Sequence, residues 1–184
     1  MDYVTVGSTG VQVSPLCFGG NVFGWTADER ESFAVLDAYA GAGGNFIDTA
    51  DSYSAWVTGH VGGESETIIG RWMAARGVRN KMVIATKVGR CPGRLGLAPK
   101  NIREGAEASL KRLAVDRIDL YYAHADDPAT PIEESMREFD ALVREGKVRY
   151  VAASNFTASR LAEALAISKR EGLTPYVALQ PHYN

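Results

Sequence analysis

The stretch Leu16-Cys17-Phe18-Gly19-Gly20-Asn21-Val22-Phe23-Gly24 decides between two architectures. It opens as a short β-like run and closes in a glycine-bearing turn. In an open, doubly wound sheet that binds a dinucleotide, the first strand runs into GxGxxG, whose glycines let the backbone approach a pyrophosphate at a helix N-terminus. Gly19, Gly20 and Gly24 have a different spacing. The other parallel architecture built by strict alternation of strand and helix is the (β/α)8 TIM barrel, and that is the α/β fold the sequence favours.

Outward from this stretch the alternation continues. Residues 16–20, 45–49, 82–87, 117–123, 148–154 and 176–180 are short runs rich in β-branched or aromatic side chains, and each predicts a strand. The segments between them carry apolar residues at helical period, among them Leu36 and Tyr39, Ile68, Ile69 and Trp72, Ile102 and Ala106, Phe139 and Leu142, and Leu161 and Leu165. Thr26 with Glu29 and Thr130 with Glu133 fit capping boxes, with Pro131 at the first helical position. Gly146 and Gly172 follow helical segments, where a left-handed terminator favours a residue without Cβ. Ahead of the first strand, residues 3–6 and 11–13 flank a turn-rich Gly7-Ser8-Thr9-Gly10 and predict a hairpin at one end of the barrel. The expected organisation is one incomplete barrel domain, residues 1–184: a hairpin in 1–14, then six βα units in 15–184. A full barrel takes about 250 residues, so the last two βα units are expected in a further segment of the same gene product.

Composition narrows the function classes. The chain is 46% hydrophobic and 23% charged with a formal net charge of −2, enough apolar material for a core and no basic stripe for a phosphate backbone. Nucleic acid is not an expected partner. Apolar runs break within a few residues, so no membrane span is predicted. Two cysteines, Cys17 and Cys91, form no CxxC pair, and no leader pattern is present; a cytoplasmic protein is expected. Cys17 reads as a small core residue and Cys91 as an exposed one. His60 and His182 read as rim or surface residues.

In a barrel the chemistry sits at the C-terminal ends of the strands, so polar residues that terminate apolar runs are informative. Asp48 closes the second run, with Tyr53 in the loop beyond; Lys87 closes the third, His124 follows the fourth, Ser154 and Asn155 end the fifth, and Gln180 ends the sixth. Singly, each has an ordinary structural reading: a turn residue, a solvated charge, a helix cap. Jointly, an acid, a phenol, an amine and an imidazole on one rim fit proton transfer beside a carbonyl. A phenol titrates near 10, so a neighbouring ammonium is expected to favour its phenolate, with Asp48 holding Lys87 and His124 orienting the carbonyl oxygen. None of these side chains carries hydride, which implies a cofactor.

At these positions the sequence resembles the aldo-keto reductases. The stretches that carry the resemblance are Asn45-Phe-Ile-Asp-Thr-Ala-Asp-Ser-Tyr53, Gly63-Glu-Ser-Glu-Thr-Ile-Ile-Gly70, Val83-Ile-Ala-Thr-Lys87, Asp119-Leu-Tyr-Tyr-Ala-His124 and Gly146-Lys-Val-Arg-Tyr-Val-Ala-Ala-Ser-Asn-Phe156. The resemblance implies reduction of small aldehydes or ketones by NADPH, with NAD also possible. It implies Tyr53 as general acid, Lys87 and Asp48 tuning it, and His124 placing the substrate. Ser154, Asn155 and Gln180 would hold the nicotinamide carboxamide, and Gly20 with Asp48 would lie against the cofactor; no metal is implied. Phe23 or Trp25 supplies an apolar wall in this reading, and ordinary packing is the equal alternative for either. Potassium-channel β-subunits resemble the same family, so a nicotinamide-sensing regulatory subunit is the alternative. A third reading is a metal-assisted lyase using Asp48, His124 and Asp127. Oligomeric state is left open.

Overall fold

The computed structural model describes residues 2–182. Two short antiparallel strands, β1 (Val4–Thr5) and β2 (Gln12–Val13), form the N-terminal hairpin. Then strands and helices alternate: β3 (Phe18–Gly19), α1 (Glu29–Gly41), β4 (Phe46–Asp48), α2 (Glu64–Arg76), β5 (Val83–Val88). A small hairpin, β6 (Arg90–Cys91) with β7 (Arg94–Leu95), interrupts the series before α3 (Pro99–Leu113), β8 (Ile118–Ala123), α4 (Ile132–Arg144), β9 (Val148–Ser154), α5 (Ala158–Glu171) and β10 (Tyr176–Gln180). The six long-range strands pair in parallel in the order β3-β4-β5-β8-β9-β10. Chain order equals sheet order, which is the topology of successive units of a (β/α)8 barrel, here a curled six-stranded part of one.

Period-two alternation sorts the strand side chains between two environments. Ile47, Ile84, Tyr121 and Val151 face the helices, where they join α1 to α5 in two apolar clusters built around Trp72 and around Phe139. Ala85, Leu120, Tyr122 and Ala152 face the barrel axis. The hairpin covers that interior from below: Val6 packs against this axial cluster and Tyr150 Oη donates to the Thr9 carbonyl at 2.8 Å. Gly7, at φ +49°, lies so close to the Val177 carbonyl that a Cβ would meet it at 2.5 Å, which fixes a glycine at this turn.

Helix starts differ from the expected ones. The N-cap of α1 is Asp28, not Thr26, and the capping box is Asp28 with Glu31. The tight turn just before it is the cause: Ala27 N–H donates to Val22 and the Ala27 carbonyl accepts from Gly24, so the chain is not free to enter a helix earlier. At α4, Thr130 Oγ1 donates to Asp127 rather than capping, and Pro131 is the N-cap instead of the first helical residue. Gly146 (φ +75°) and Gly172 (φ +67°) terminate α4 and α5 in the left-handed region as expected. On α5 the buried positions are Ala164, Ile167 and Ser168, and Leu165 faces out.

Candidate active site

Asp48 and Lys87 meet because both occupy inward positions near the C-terminal ends of adjacent strands. Register pairs Asp48 with Ala85, two residues short of Lys87; same-face neighbours two apart lie within side-chain reach. Lys87 is 1% exposed, and an ammonium that far from water needs all its protons placed. They are placed: Nζ donates to Asp48 Oδ2 at 2.6 Å, to the Thr49 carbonyl at 2.9 Å and to Tyr53 Oη at 2.8 Å. Tyr53 Oη also lies 3.4 Å from Asp48 Oδ2. The loop after β4 is turned back toward the barrel by Asp51 N–H donating to the Lys87 carbonyl, and Ser54, at φ +69°, donates from its hydroxyl to the Phe23 carbonyl. These contacts hold the phenol over the ammonium.

His124 completes the group on the next strand. Its ring centroid is 6.0 Å from that of Tyr53, nearly edge to face. Burial and the nearby Lys87 and Arg90 charges push its pKa down to about 3, so the imidazole is neutral at physiological pH. For Tyr53 the outcome departs from the sequence expectation. Burial raises the phenol above its ordinary value and outweighs the opposing pull of Lys87, which Asp48 partly cancels. The phenol therefore stays protonated at neutral pH, as a donor. A cavity of about 400 Å³ opens on this cluster, lined by Ser52, Tyr53, Ala55, Trp56, Arg90, Pro92 and His124. A larger one, about 740 Å³, lies at the opposite end of the strands among residues such as Arg79, Arg117 and Arg149, and holds none of these groups.

The other expected residues sit on the same rim in different circumstances. Ser154 Oγ donates to the Gln180 carbonyl at 3.0 Å, and Asn155 Nδ2 donates to Ser154 Oγ and to the His124 carbonyl. Asn155 adopts φ +55° and is exposed at the mouth. Gly20 is buried, and both its backbone groups are engaged: its N–H donates to the Asp48 carbonyl and its carbonyl accepts from Ser65. A Cβ there would meet Ser65 Oγ at 2.9 Å, so Gly20 brings β3 against α2 and fixes the strand end carrying Asp48. Asp48 Oδ1 is buried and has no hydrogen-bond partner among the described residues.

Phe23, at 1% exposed, belongs to the helix-side core, while Trp25 is 52% exposed and packs edge-on against Trp56. Asp127 accepts from the amides of Leu97 and Ala129 and from the hydroxyl of Thr130. Among the described residues, no three His, Cys, Asp or Glu side chains group as metal ligands. Cys91 is buried at 2% exposure, contrary to expectation, because the small hairpin turns it inward. Cys17 is half-buried, and burial pushes its thiol up to about 12. His60 is half-buried and His182 exposed. Trp56 and Arg90 were not singled out from the sequence; Arg90, two residues past the end of β5, carried the positional signal.

The aldo/keto reductase family model matches residues 15–184. The chain belongs to that family. Norsolorinic acid reductase of Aspergillus flavus is 38% identical over 96% of the chain and 48% of its own length. An aryl-alcohol dehydrogenase of Pestalotiopsis microspora is 36% identical over 96% of the chain and 48% of its own length. A protein of Oryza sativa subsp. japonica named "Probable voltage-gated potassium channel subunit beta" is 36% identical over all of the chain and 56% of its own length. This reductase-family chain thus spans about half the length of the curated relatives it matches. Among the described residues, no helix is long and apolar enough to cross a membrane.

Proposed function

We propose that this aldo/keto reductase chain carries the acid-base half of a reductase that converts small aldehydes or ketones to alcohols with NADPH. The observation that supports this best is the buried Lys87 Nζ, held between Asp48 Oδ2 at 2.6 Å and Tyr53 Oη at 2.8 Å beside an open cavity. A reduced nicotinamide, when bound, supplies hydride to the carbonyl carbon. Tyr53 donates its proton to the carbonyl oxygen, and the Lys87 ammonium stabilises the phenolate left behind. Asp48 holds that ammonium in place. His124, neutral at working pH, gives the carbonyl oxygen a hydrogen bond without competing as an acid.

The residues fit a nicotinamide. The unpartnered, buried Asp48 Oδ1 is suited to accept from a ribose hydroxyl, and the amides of Asn155 and Gln180 stand on the rim to hold a carboxamide. Ser154 positions both, through the Gln180 carbonyl and the Asn155 amide. NADP over NAD follows only from the resemblance, and a reducing cytoplasm suits the two free thiols.

The test is NADPH oxidation by the full-length protein with 4-nitrobenzaldehyde. Tyr53→Phe removes the donated proton and is expected to lower kcat by about 100-fold or more. Retained turnover in that variant would overturn the assignment. The potassium-channel relative supports a second reading, a nicotinamide-sensing subunit with the same cluster. A single rapid turnover of bound NADPH followed by slow release favours that reading; steady-state turnover at ordinary enzyme rates favours the reductase.

A further inference from the structure

Around the cavity beside Tyr53 and His124 the walls are nearly all apolar or uncharged, with one formally charged exception, Arg90. The backbone gives that residue a fixed direction. Arg90 and Cys91 form β6, closed against β7 by pairing of Arg90 with Leu95 and of Cys91 with Arg94. Successive side chains of a strand point to opposite faces. Cys91 is turned into the protein at 2% exposure, and Arg90 is exposed. The hairpin is anchored at its base, where Gly96 N–H donates to the Gly89 carbonyl at 2.9 Å and Asn101 Nδ2 donates to the carbonyls of Arg94 and Gly96.

Arg90 stands without a partner among the described residues. Among the described residues its guanidinium makes no ion pair and no hydrogen bond, although carboxylates stand nearby on the same rim: Asp126 is taken by Arg160, and Asp127 by the loop it caps. A planar fork of donors left open beside an apolar wall is a recognition element for a carboxylate or a similar planar anion. The wall itself is aromatic. Trp56, 53% exposed, lies edge-on to Tyr53 at 6.3 Å and to Trp25 at 5.6 Å.

We infer that the substrate is an aromatic aldehyde or ketone bearing an anionic substituent, its ring against Trp56 and its anion on the Arg90 guanidinium, with the carbonyl toward Tyr53. This rests on the reduction reading for the position of the carbonyl. The anion preference is a matter of binding and is read separately from turnover.

Titration calorimetry on the full-length protein loaded with NADP+ measures it without reaction. The probes are 3- and 4-carboxybenzaldehyde and their methyl esters, which keep the ring and aldehyde and lose the charge. At least one carboxylate is expected to bind about tenfold more tightly than its ester. Arg90→Met is expected to bring that ratio close to one, Arg90→Lys to keep part of it, and rising salt to narrow it in the parent protein. Carboxylates that bind no better than esters in the parent, or a preference that survives Arg90→Met, overturn the inference. Steady-state reduction of the same pairs with NADPH is the separate readout of the reduction reading: an intact anion preference with no turnover sinks that reading and leaves the anion site at Arg90 standing.

Discussion

At the scale of single residues, Asp51 is a group whose state depends strongly on its surroundings. It is fully buried, and among the described residues neither carboxylate oxygen has a partner. Burial first, then the charge of nearby Glu66, pushes its pKa up to about 7, against the pull of Arg94, Arg112 and Lys87. An unfolded aspartate titrates near 4, so the folded protein holds this proton where the unfolded chain has released it. The associated stability is complete below about pH 4 and is lost as pH rises through 7. Asp51→Asn, which keeps the shape and cannot ionise, is expected to gain on the parent by on the order of 2 kcal/mol between pH 5 and pH 8. Thermal midpoints at the two pH values check this; a difference between the two proteins that does not change with pH would show the carboxylate to be ionised and accommodated. Asp51 lies just beyond the run that Asp48 closes, and no local pattern marks its burial. The cluster of Asp48, Tyr53, Lys87 and His124 was legible because three of the four end or directly follow apolar runs. Arg90 opens the short hairpin beyond β5 and Trp56 lies in a loop, and the course of both depends on tertiary contacts.

Elements were legible to a different degree. Strand positions hold closely, since residues 148–154 and 176–180 match β9 and β10 and the other four agree within two residues at each end. Alternating burial and β-branched runs leave little freedom in a sheet covered on both faces. Helix starts were less legible, because two acceptable capping patterns overlap in Thr26-Ala27-Asp28-Glu29-Arg30-Glu31 and only the turn before them selects one. Asp28 Oδ1 accepts from Glu31 N–H at 2.8 Å, and Glu31 Oε2 accepts from Asp28 N–H at 3.1 Å. Asp28→Ala is therefore expected to cost about 1 kcal/mol, and Thr26→Ala less than half of that. Urea unfolding of the two variants decides between the boxes, and a larger loss at Thr26 would restore the earlier start. Between elements, Glu66 of α2 is fully buried yet accepts from Thr86 Oγ1 of β5 and from Arg112 Nε of α3 at 2.6 Å, so one carboxylate ties two helices to the sheet.

For the whole molecule, the governing fact is that the described sheet is open. Among the described residues, β3 pairs only with β4 and β10 only with β9, so two outer edges present free backbone donors and acceptors. Large apolar side chains stand at both: Leu16 is 64% exposed and Leu179 39%. Natural sheets blunt such edges with charge, closure or cover, because an open edge recruits another chain. Closure by further strands is the barrel's own remedy, and the three relatives named above are about twice as long as this chain. The 184-residue chain expressed alone is thus expected to self-associate. Sedimentation velocity at about 50 µM should show oligomers, and Leu179→Lys, which puts a charge on the β10 edge, should raise the monomer fraction. A monodisperse monomer in the unsubstituted chain would mean that the two edges find cover within the chain itself, and that the six units are self-sufficient as a fold.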